Sequence, residues 1–265
     1  MSEAQAHAKL NLALVVGSRG HDRKHEVATV LQQIELSDEI SLATGTDLEI
    51  SGFPEDTLVR DALLALAAAA GVAPQWSVRI EKRIPVASGL GGGSSDAAAA
   101  LRLANETLPD PLADERLHEI AARIGADVPF FLKQGPQLGT GDGSELEPVD
   151  LPADYAVLLV LPAETEKAST AAVYEAFDGA EGFDERHAAL RDALEARDLA
   201  ALPPNDLASS PLSDELRELG AFRADVTGAG PAVYGLFAAK EQAEAARRAL
   251  APRGRTWITA PRWYG

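Results

Sequence analysis

The sequence contains no cysteine, and this absence excludes several kinds of site at once. Without thiols there is no disulfide framework, no thiolate metal site and no cysteine nucleophile. Long apolar runs are missing too: the longest candidate, residues 62–70, falls well short of the roughly 18 residues that a transmembrane helix needs. The first residues also lack the basic and apolar regions of a signal peptide, so we expect a cytoplasmic protein with no membrane partner.

Basic residues are scarce relative to acidic ones. The 265 residues include 24 lysines and arginines against 41 aspartates and glutamates, which gives a formal net charge of −17. A chain with this balance does not bind nucleic acid phosphates through general charge, and we expect no nucleic-acid partner. Any anionic ligand must therefore be held by a local group of donors that acts against the overall field.

The remaining composition is that of a globular protein with one large domain or two modest ones. The strands and helices predicted from apolar periodicity mix without regular βα alternation, which favours an α+β architecture. Pro148 and Pro152 bracket an acidic turn, where we place a boundary between domains 1–150 and 151–265. The predicted strands cover residues 6–16, 25–31, 40–43, 48–51, 76–81, 155–161, a segment that ends at 227, 232–237 and 255–259. The predicted helices cover residues 57–70, 95–105, 114–124, 171–177, 184–197, 213–219 and 240–250.

A glycine-rich segment between a predicted strand and a predicted helix is the strongest local signal. Four of the five residues from Gly89 to Gly93 are glycine, and we expect positive φ angles among them, including at Gly92. A loop that leads into a helix N-terminus offers unpaired N–H groups to a phosphate, and Ser94 and Ser95 add hydroxyls for the phosphate or its metal. The alternative is a flexible hinge in which a serine only caps the helix. The spacing matches neither the common P-loop nor G-x-G-x-x-G.

Two polar residues in the first predicted strand point to chemistry. Lys9 and Asn11 are two positions apart and therefore share one face of the strand. A lysine whose stem covers the sheet is the alternative interpretation of Lys9. Asp127 follows the helix that ends near Gly125, and either a local turn or a carboxylate that accepts a proton from an alcohol explains it.

Four segments, in this order, resemble the GHMP kinases. They are residues 8–12 (AKLNL), 85–95 (PVASGLGGGSS), 125–129 (GADVP) and 227–231 (TGAGP), and they span nearly the whole chain. The resemblance implies a two-domain α+β fold, with an N-terminal ATP-loop domain and a ferredoxin-like C-terminal domain. It also implies an ATP-dependent kinase that phosphorylates a hydroxyl of a cytidine-diphosphate-linked methylerythritol, in the non-mevalonate route to isoprenoid precursors. We expect ATP and Mg²⁺ as cofactors, this small molecule as the partner, and a monomer or homodimer.

The resemblance assigns roles to individual residues. Lys9 and Asp127 are the implied catalytic pair, and Ser95 is the implied protein ligand of the metal. The implied nucleotide-binding residues are Thr57, Pro85, Val86, Ala87, Ser88, Gly89, Leu90, Gly91, Gly92, Gly93, Ser94 and Ser95. The implied substrate-binding residues are Asn11, Lys24, His25, Tyr174, Gly228 and Gly230, with Tyr174 stacked on the cytosine.

The chain departs from the pattern at a few positions. Lys24 stands where an aromatic residue usually covers the second face of the base, Arg23 replaces a glycine, and Thr57 replaces an asparagine near the adenine. These changes keep two alternatives open: another GHMP small-molecule kinase of the homoserine or sugar type, and a non-catalytic nucleotide-binding relative. The presence of both Lys9 and Asp127 argues against the non-catalytic alternative.

Overall fold

A computed structural model describes residues 1–20, 25–55, 57–163, 170–177, 181–262 and 264. Lys24 and Arg23, expected at the cytidine pocket, and Asp56, the predicted N-cap of the first helix, lie outside these ranges. The described residues contain no helix that is both long and apolar enough to cross a membrane.

The described residues form ten β-strands and eight α-helices. In chain order they are β1 (Ser2–Arg19), β2 (His25–Thr44), β3 (Glu49–Ser51), α1 (Thr57–Ala70), β4 (Trp76–Glu81), α2 (Gly92–Glu106), α3 (Asp114–Ile124), α4 (Val128–Phe131), β5 (Gln137–Thr140), β6 (Glu145–Pro148), β7 (Ala156–Pro162), α5 (Thr170–Ala176), α6 (Phe183–Glu195), α7 (Pro211–Glu218), β8 (Arg223–Val226), β9 (Val233–Phe237), α8 (Lys240–Leu250) and β10 (Gly254–Thr259).

The chain divides into two compact units. Unit 1 comprises residues 1–8, 36–86 and 91–134, and unit 2 comprises residues 9–35, 87–90 and 135–265. The long strands β1 and β2, which pair with each other, contribute residues to both units. The boundary predicted near residue 150 divides the sequence into two consecutive segments, whereas each compact unit consists of several segments. The predicted boundary therefore stays a prediction.

Unit 1 combines helices α1 to α4 with strands of a six-stranded sheet, whose order is β3–β4–β2–β5–β6 with β1 paired to β2. In its sheet β4 pairs antiparallel with the end of β2, from Glu39 opposite Glu81 to Thr44 opposite Trp76, and parallel with β3. Helix α1 buries its apolar face and ends at Gly71, whose φ of +67° suits glycine. Its neighbour α2 is buried over most of its length, because its run of alanines lets other elements approach closely.

Unit 2 contains an antiparallel sheet in the order β10–β7–β9–β8. The chain order is strand, helices, two strands, helix and strand, so this part has the split βαβ arrangement of a ferredoxin-like domain. Its core lies between the sheet and helices α7 and α8, where Leu158, Leu216, Val233 and Phe237 are buried. The predicted α+β class and ferredoxin-like C-terminal part are confirmed.

Strand β2 is longer than the sequence predicted. Its middle is rich in polar residues, so the pattern indicated two separate strands. In the structure, the backbone N–H of Arg262 donates to the carbonyl oxygen of Gln33, and its guanidinium donates to the Gln33 side chain at 2.7 Å. Ile34 also forms a bridge with Pro261. Pairing with a segment more than 200 residues away therefore keeps this polar stretch extended, and a local pattern does not reveal such pairing.

Candidate nucleotide and substrate site

Helix α2 begins earlier than predicted, at Gly92 instead of residue 95. Gly91 is its N-cap, with a φ of 71°, and no side chain caps the helix. Ser94 and Ser95 lie inside its first turn, so the alternative interpretation, in which a serine only caps α2, was wrong. The N-terminal N–H groups of α2 therefore have no side-chain cap, which suits a helix start that receives an anion.

Positive φ angles occur in the glycine loop, but not at Gly92. Gly89 and Gly91 have φ values of +86° and +71°, and Ala87 has a φ of 48°. Gly92 adopts helical backbone, so the expected positive φ at this residue was wrong. Space at this residue is tight, because a Cβ would lie 3.2 Å from Ile84 Cγ2 and 3.2 Å from Lys82 Nζ.

Two buried aspartates and a partly buried lysine lie beside the start of α2. Lys82 Nζ donates to Asp38 Oδ2 at 2.5 Å and to Asp96 Oδ2 at 2.7 Å, and both aspartate side chains are fully buried. Burial alone would lower the pKa of Lys82, but the charges and hydrogen bonds of the two aspartates outweigh it and raise this pKa. The ammonium therefore stays charged. Our sequence analysis missed this group, because its members lie in three separate segments.

Lys9 and Asn11 do share one face, as the strand alternation predicted. Both are buried, and Lys9 Nζ donates to Asn11 Oδ1 at 2.5 Å. The Asn11 amide donates to Thr29 Oγ1 at 2.8 Å, and the Thr29 hydroxyl donates to the carbonyl oxygen of Ala13 at 2.8 Å. Thr29 therefore fixes the orientation of the Asn11 amide, with its oxygen toward the ammonium. No local pattern predicted this role for Thr29.

The turn at residues 227–231 closes over this pair. The backbone N–H of Asn11 donates to Thr227 Oγ1 at 3.0 Å. A Cβ at Gly228 would lie 3.3 Å from Asn11 Oδ1 and 3.4 Å from Lys9 Nζ, so glycine lets the turn approach both side chains. Burial raises the pKa of Tyr234 to about 12, and its protonated hydroxyl donates to the carbonyl oxygen of Leu12 at 3.1 Å. Strand β1 is thus joined to the turn at Asn11 and to β9 at Leu12.

The glycine loop contacts the same turn. The Ala232 N–H donates to the carbonyl oxygen of Ser88 at 3.0 Å, and the Lys9 N–H donates to that of Leu90 at 3.0 Å. A Cβ at Gly89 would lie only 2.3 Å from the carbonyl oxygen of Thr227, a contact that real side chains do not make. Within unit 2 the fold therefore brings together Lys9, Asn11, the loop residues 88–90 and Gly228.

His25 and Tyr174 form a second cluster in unit 2. Their ring centroids are 6.0 Å apart at an interplanar angle of 43°. His25 Nδ1 lies 2.8 Å from the carbonyl oxygen of Gly17, and Nε2 accepts a hydrogen bond from Arg19 Nε at 3.0 Å. Nε2 also lies 3.1 Å from the carbonyl oxygen of Tyr174, so the imidazole contacts both Arg19 and α5. Arg19 also donates to the carbonyl oxygens of Tyr174 and Glu175, and so joins α5 to His25.

Asp127 and Thr57 lie in unit 1, as do Pro85, Val86 and the loop from Gly91 onward. Thr57 is the exposed first residue of α1. Asp127 is half-buried and precedes the short buried helix α4, but its side chain does not cap that helix. It lies in a turn in which the Val128 N–H donates to the carbonyl oxygen of Gly125 at 3.1 Å, so the local-turn and the proton-acceptor interpretations of Asp127 both remain.

Gly89 provides a test of the loop's packing. We expect Gly89→Ala to destabilise the protein by about 3 kcal/mol, because alanine is strained at this φ and its Cβ would collide with a backbone oxygen. Gly71→Ala is the matched control: its φ is also positive, but nothing lies within 4 Å of the added Cβ. The control is expected to cost only about 1 kcal/mol. Urea unfolding measures both values, and equal losses would contradict the close contact between Gly89 and Thr227.

Comparison with models of known protein families shows the family to which this chain belongs. Residues 57–135 match the family model described as GHMP kinases N terminal domain, and residues 185–255 match GHMP kinases C terminal. The chain belongs to the GHMP kinase family.

Two similar proteins narrow the comparison within that family. A 4-diphosphocytidyl-2-C-methyl-D-erythritol kinase of Desulfitobacterium hafniense is 39% identical over 262 residues, which are 91% of this chain and 89% of that protein. A protein of the same name from Pelotomaculum thermopropionicum is 38% identical and covers 91% of this chain and 90% of its own length.

Solved structures also match this chain over nearly its whole length. A crystal structure of 4-(cytidine 5'-diphospho)-2C-methyl-D-erythritol kinase matches with a TM-score of 0.82 and 30% identity, over 99% of this chain and 100% of that one. The mevalonate kinase of Methanococcus jannaschii matches with a TM-score of 0.77, over 99% of this chain and 98% of its own. At 14% identity, this second match shows a shared fold only.

Proposed function

We propose that this kinase transfers the γ-phosphoryl group of ATP to a hydroxyl of 4-diphosphocytidyl-2-C-methyl-D-erythritol, in the non-mevalonate route to isoprenoid precursors. The observation that carries the proposal is the 39% identity to a kinase of this name over 91% of the chain. The chain also contains all four motifs that resemble the family, and its fold matches the fold of that family. The reaction forms an O–P bond at the alcohol, breaks the bond between the β,γ-bridging oxygen and the γ-phosphorus, and releases ADP and one proton.

The glycine loop is the proposed phosphate site. The start of α2 has no side-chain cap, Gly91 has left-handed backbone, and a Cβ at Gly92 would lie only 3.2 Å from the side chains of Ile84 and Lys82. N–H groups at such a helix start, together with the helix dipole, bind phosphate in a protein whose net charge of −17 would otherwise repel it. Lys82 holds its two aspartates beside this start and offsets part of their negative charge.

Lys9 and Asp127 are the proposed catalytic pair. A buried ammonium on a strand that also presents Asn11 is suited to stabilise negative charge on a transferring phosphoryl group. The Asp127 carboxylate, which does not cap α4, is suited to orient the alcohol and accept its proton.

Mg²⁺ is proposed to arrive with the phosphates of ATP. Over the described ranges, no group of three or more His, Cys, Asp or Glu side chains could hold a metal ion. A serine hydroxyl at a phosphate-binding helix start is a known type of Mg²⁺ ligand, and Ser95 in the first turn of α2 is our candidate. When bound, the ion neutralises charge on the phosphates.

The proposed domains are 1–150 and 151–265. The two family models match residues 57–135 and 185–255, one on each side of this boundary. The antiparallel sheet β10–β7–β9–β8 lies entirely in the second domain.

A panel of acceptors tests the proposed function. ADP release is measured with the cytidylated alcohol, with the same alcohol phosphate without cytidine, and with homoserine, mevalonate and galactose. We expect rapid turnover with the cytidylated alcohol only. Turnover with another acceptor instead would support a different GHMP kinase, and nucleotide binding without turnover of any acceptor would support a non-catalytic relative.

Tyr174 provides a test of the cytidine pocket. We expect Tyr174→Ala to weaken binding of the cytidylated alcohol by about 1–3 kcal/mol, the usual contribution of base–aromatic stacking. Binding of ATP, and of the alcohol phosphate without cytidine, is expected to stay unchanged. Isothermal titration of each ligand measures these affinities.

Phe177→Ala is the matched control for Tyr174→Ala. Phe177 also packs on His25, with ring centroids 5.7 Å apart, so both variants remove an aromatic side chain from one cluster. If the two variants weaken cytidine binding equally, Tyr174 acts only through His25 and the stacking assignment is wrong.

A further inference from the structure

Asn205 is a buried residue that none of the motifs includes. Its side-chain amide donates to the carbonyl oxygen of Gly228 at 2.7 Å and to that of Val226 at 2.9 Å. Its Oδ1 accepts from the Leu207 N–H at 2.9 Å. Both amide protons and the amide oxygen are therefore used, so the orientation of this side chain is fixed by three separate partners.

The segment that carries Asn205 is itself held firmly. The Arg223 guanidinium donates to the carbonyl oxygens of Leu202 at 2.6 Å and Pro203 at 2.8 Å. The Asn205 N–H donates to Asp225 Oδ2 at 2.9 Å. Two charged side chains of β8 thus hold the backbone of the segment that contains Asn205. Hydrogen bonds that involve a charged group are stronger than those between neutral groups.

The same segment is also joined to β1, the strand of Lys9 and Asn11. Asn205 forms a parallel bridge with Leu14, and the Asp206 N–H donates to the carbonyl oxygen of Leu14 at 2.9 Å. Asp206 Oδ2 in turn accepts from the Val16 N–H at 2.8 Å. One short segment therefore contacts β1 through its backbone and the turn after β8 through the Asn205 side chain.

We propose that Asn205 is a positioning residue, which sets the Gly228 peptide against the Lys9 ammonium and the Asn11 amide. The Gly228 carbonyl points toward Asn205, and the peptide group is planar and trans. The N–H of Ala229 therefore points to the opposite side, away from Asn205. Asn205 thereby determines the direction in which the Ala229 N–H points. The inference rests on the proposed function, because it places the aligned peptide in the substrate site.

A purely structural role is the alternative, and Asn105 is its matched control. Asn105 is also buried, its amide donates to the carbonyl oxygen of Leu112 at 3.0 Å, and its Oδ1 accepts from the Leu112 N–H at 2.8 Å. It lies at the end of α2, outside the proposed nucleotide and substrate residues. At either position, Asn→Asp replaces the buried side-chain NH2 group with a carboxylate oxygen. This oxygen then faces the carbonyl oxygens to which the NH2 group donated.

The experiment compares kcat, KM and thermal unfolding of Asn205→Asp and Asn105→Asp in the full-length enzyme. We expect Asn205→Asp to lower kcat with the cytidylated alcohol by about 100-fold, the loss that a displacement of about 1 Å at a reacting centre produces. KM for ATP is expected to change less than about twofold, because the loss falls on the transition state. Asn105→Asp is expected to lower the unfolding temperature similarly while kcat stays near the wild-type value. Asn205→Ser keeps one hydrogen-bond donor and is expected to lower kcat less than Asn205→Asp does. It replaces Asn205→Asp in the comparison if the aspartate variant does not fold.

Equal kcat effects at the two positions, or wild-type kcat in a folded Asn205 variant, would overturn the proposal. If the wild-type enzyme phosphorylates none of the acceptors, the proposed function fails, and the positioning is then judged by NMR. Backbone amide resonances of Gly228, Ala229 and Gly230 are expected to shift in Asn205→Ser and to stay in place in Asn105→Asp. Unshifted resonances in Asn205→Ser would overturn the positioning role whatever the substrate is.

Discussion

Replacing Asp127 with asparagine is expected to lower kcat by about 10²–10⁴-fold, the usual contribution of a positioned general base. The amide keeps the shape of the side chain but cannot accept the proton of the alcohol. The fold is expected to remain intact, because asparagine has nearly the same size and shape as aspartate and α4 is held by its own four buried residues. KM for ATP is expected to change little, since the lost interaction is made in the transition state.

The control for this variant is Asp114→Asn, at the exposed start of α3. It makes the same change of charge and is expected to leave kcat at the wild-type value. In phosphoryl transfer with a loose transition state, part of the contribution of a base is orientation of the alcohol, so residual turnover in Asp127→Asn is consistent with the assignment. Turnover close to wild type would mean that Asp127 is not the base.

Replacing Lys9 with methionine is expected to have two opposite effects. Turnover should fall by about 10²–10³-fold, as when one preorganised electrostatic donor is removed from an active site. Stability should be unchanged or higher, because Lys9 is only 3% exposed and the burial of its ammonium costs desolvation free energy. Methionine has a similar length and fills the same apolar strand environment.

The two readouts for Lys9→Met are kcat and the unfolding temperature of the same preparation. Asn11 loses the donor at its Oδ1 but keeps its hydrogen bond to Thr29, so β1 should remain in place. A large loss of stability, with normal turnover in the folded fraction, would show that Lys9 is structural.

Several elements could be predicted closely from local pattern alone. Helices α1, α3 and α8 and strand β4 begin and end where apolar spacing and stop signals such as Gly71 and Gly125 place them. The shared face of Lys9 and Asn11 followed from strand alternation and is confirmed by their hydrogen bond. These features depend on residues close together in the sequence, where period and propensity act directly.

The hairpin formed by β5 and β6 was missed, although its turn carried a signal. The two strands have only four residues each, and their sequences, QLGT and ELEP, are too short to show a clear apolar alternation. Between them, Asp142 Oδ1 accepts from the Ser144 N–H and hydroxyl, and Gly141 and Gly143 have positive φ. The Asp142–Gly143 pair is a typical hairpin turn signal.

The residues that hold the site in place could not be predicted, because their partners are distant in the sequence. Thr29 orients Asn11, Asn205 fixes Gly228, and Lys82 joins Asp38 to Asp96. Each is an ordinary polar residue in its own segment, and only the tertiary structure gives it a buried partner. Motifs therefore identified the residues proposed to contact ligands, whereas the supporting polar network required the structure.

The most direct test of the proposed activity is to follow the γ-phosphoryl group itself. Wild-type enzyme is incubated with ATP labelled in the γ-phosphate and with the cytidylated alcohol, and the products are separated and identified by mass spectrometry. The account predicts that the label appears on the cytidylated alcohol as a new phosphate monoester, in a one-to-one ratio with ADP, and that Asp127→Asn and Lys9→Met nearly abolish this transfer. Label found only in inorganic phosphate, or transferred equally well to the alcohol phosphate without cytidine, would contradict it.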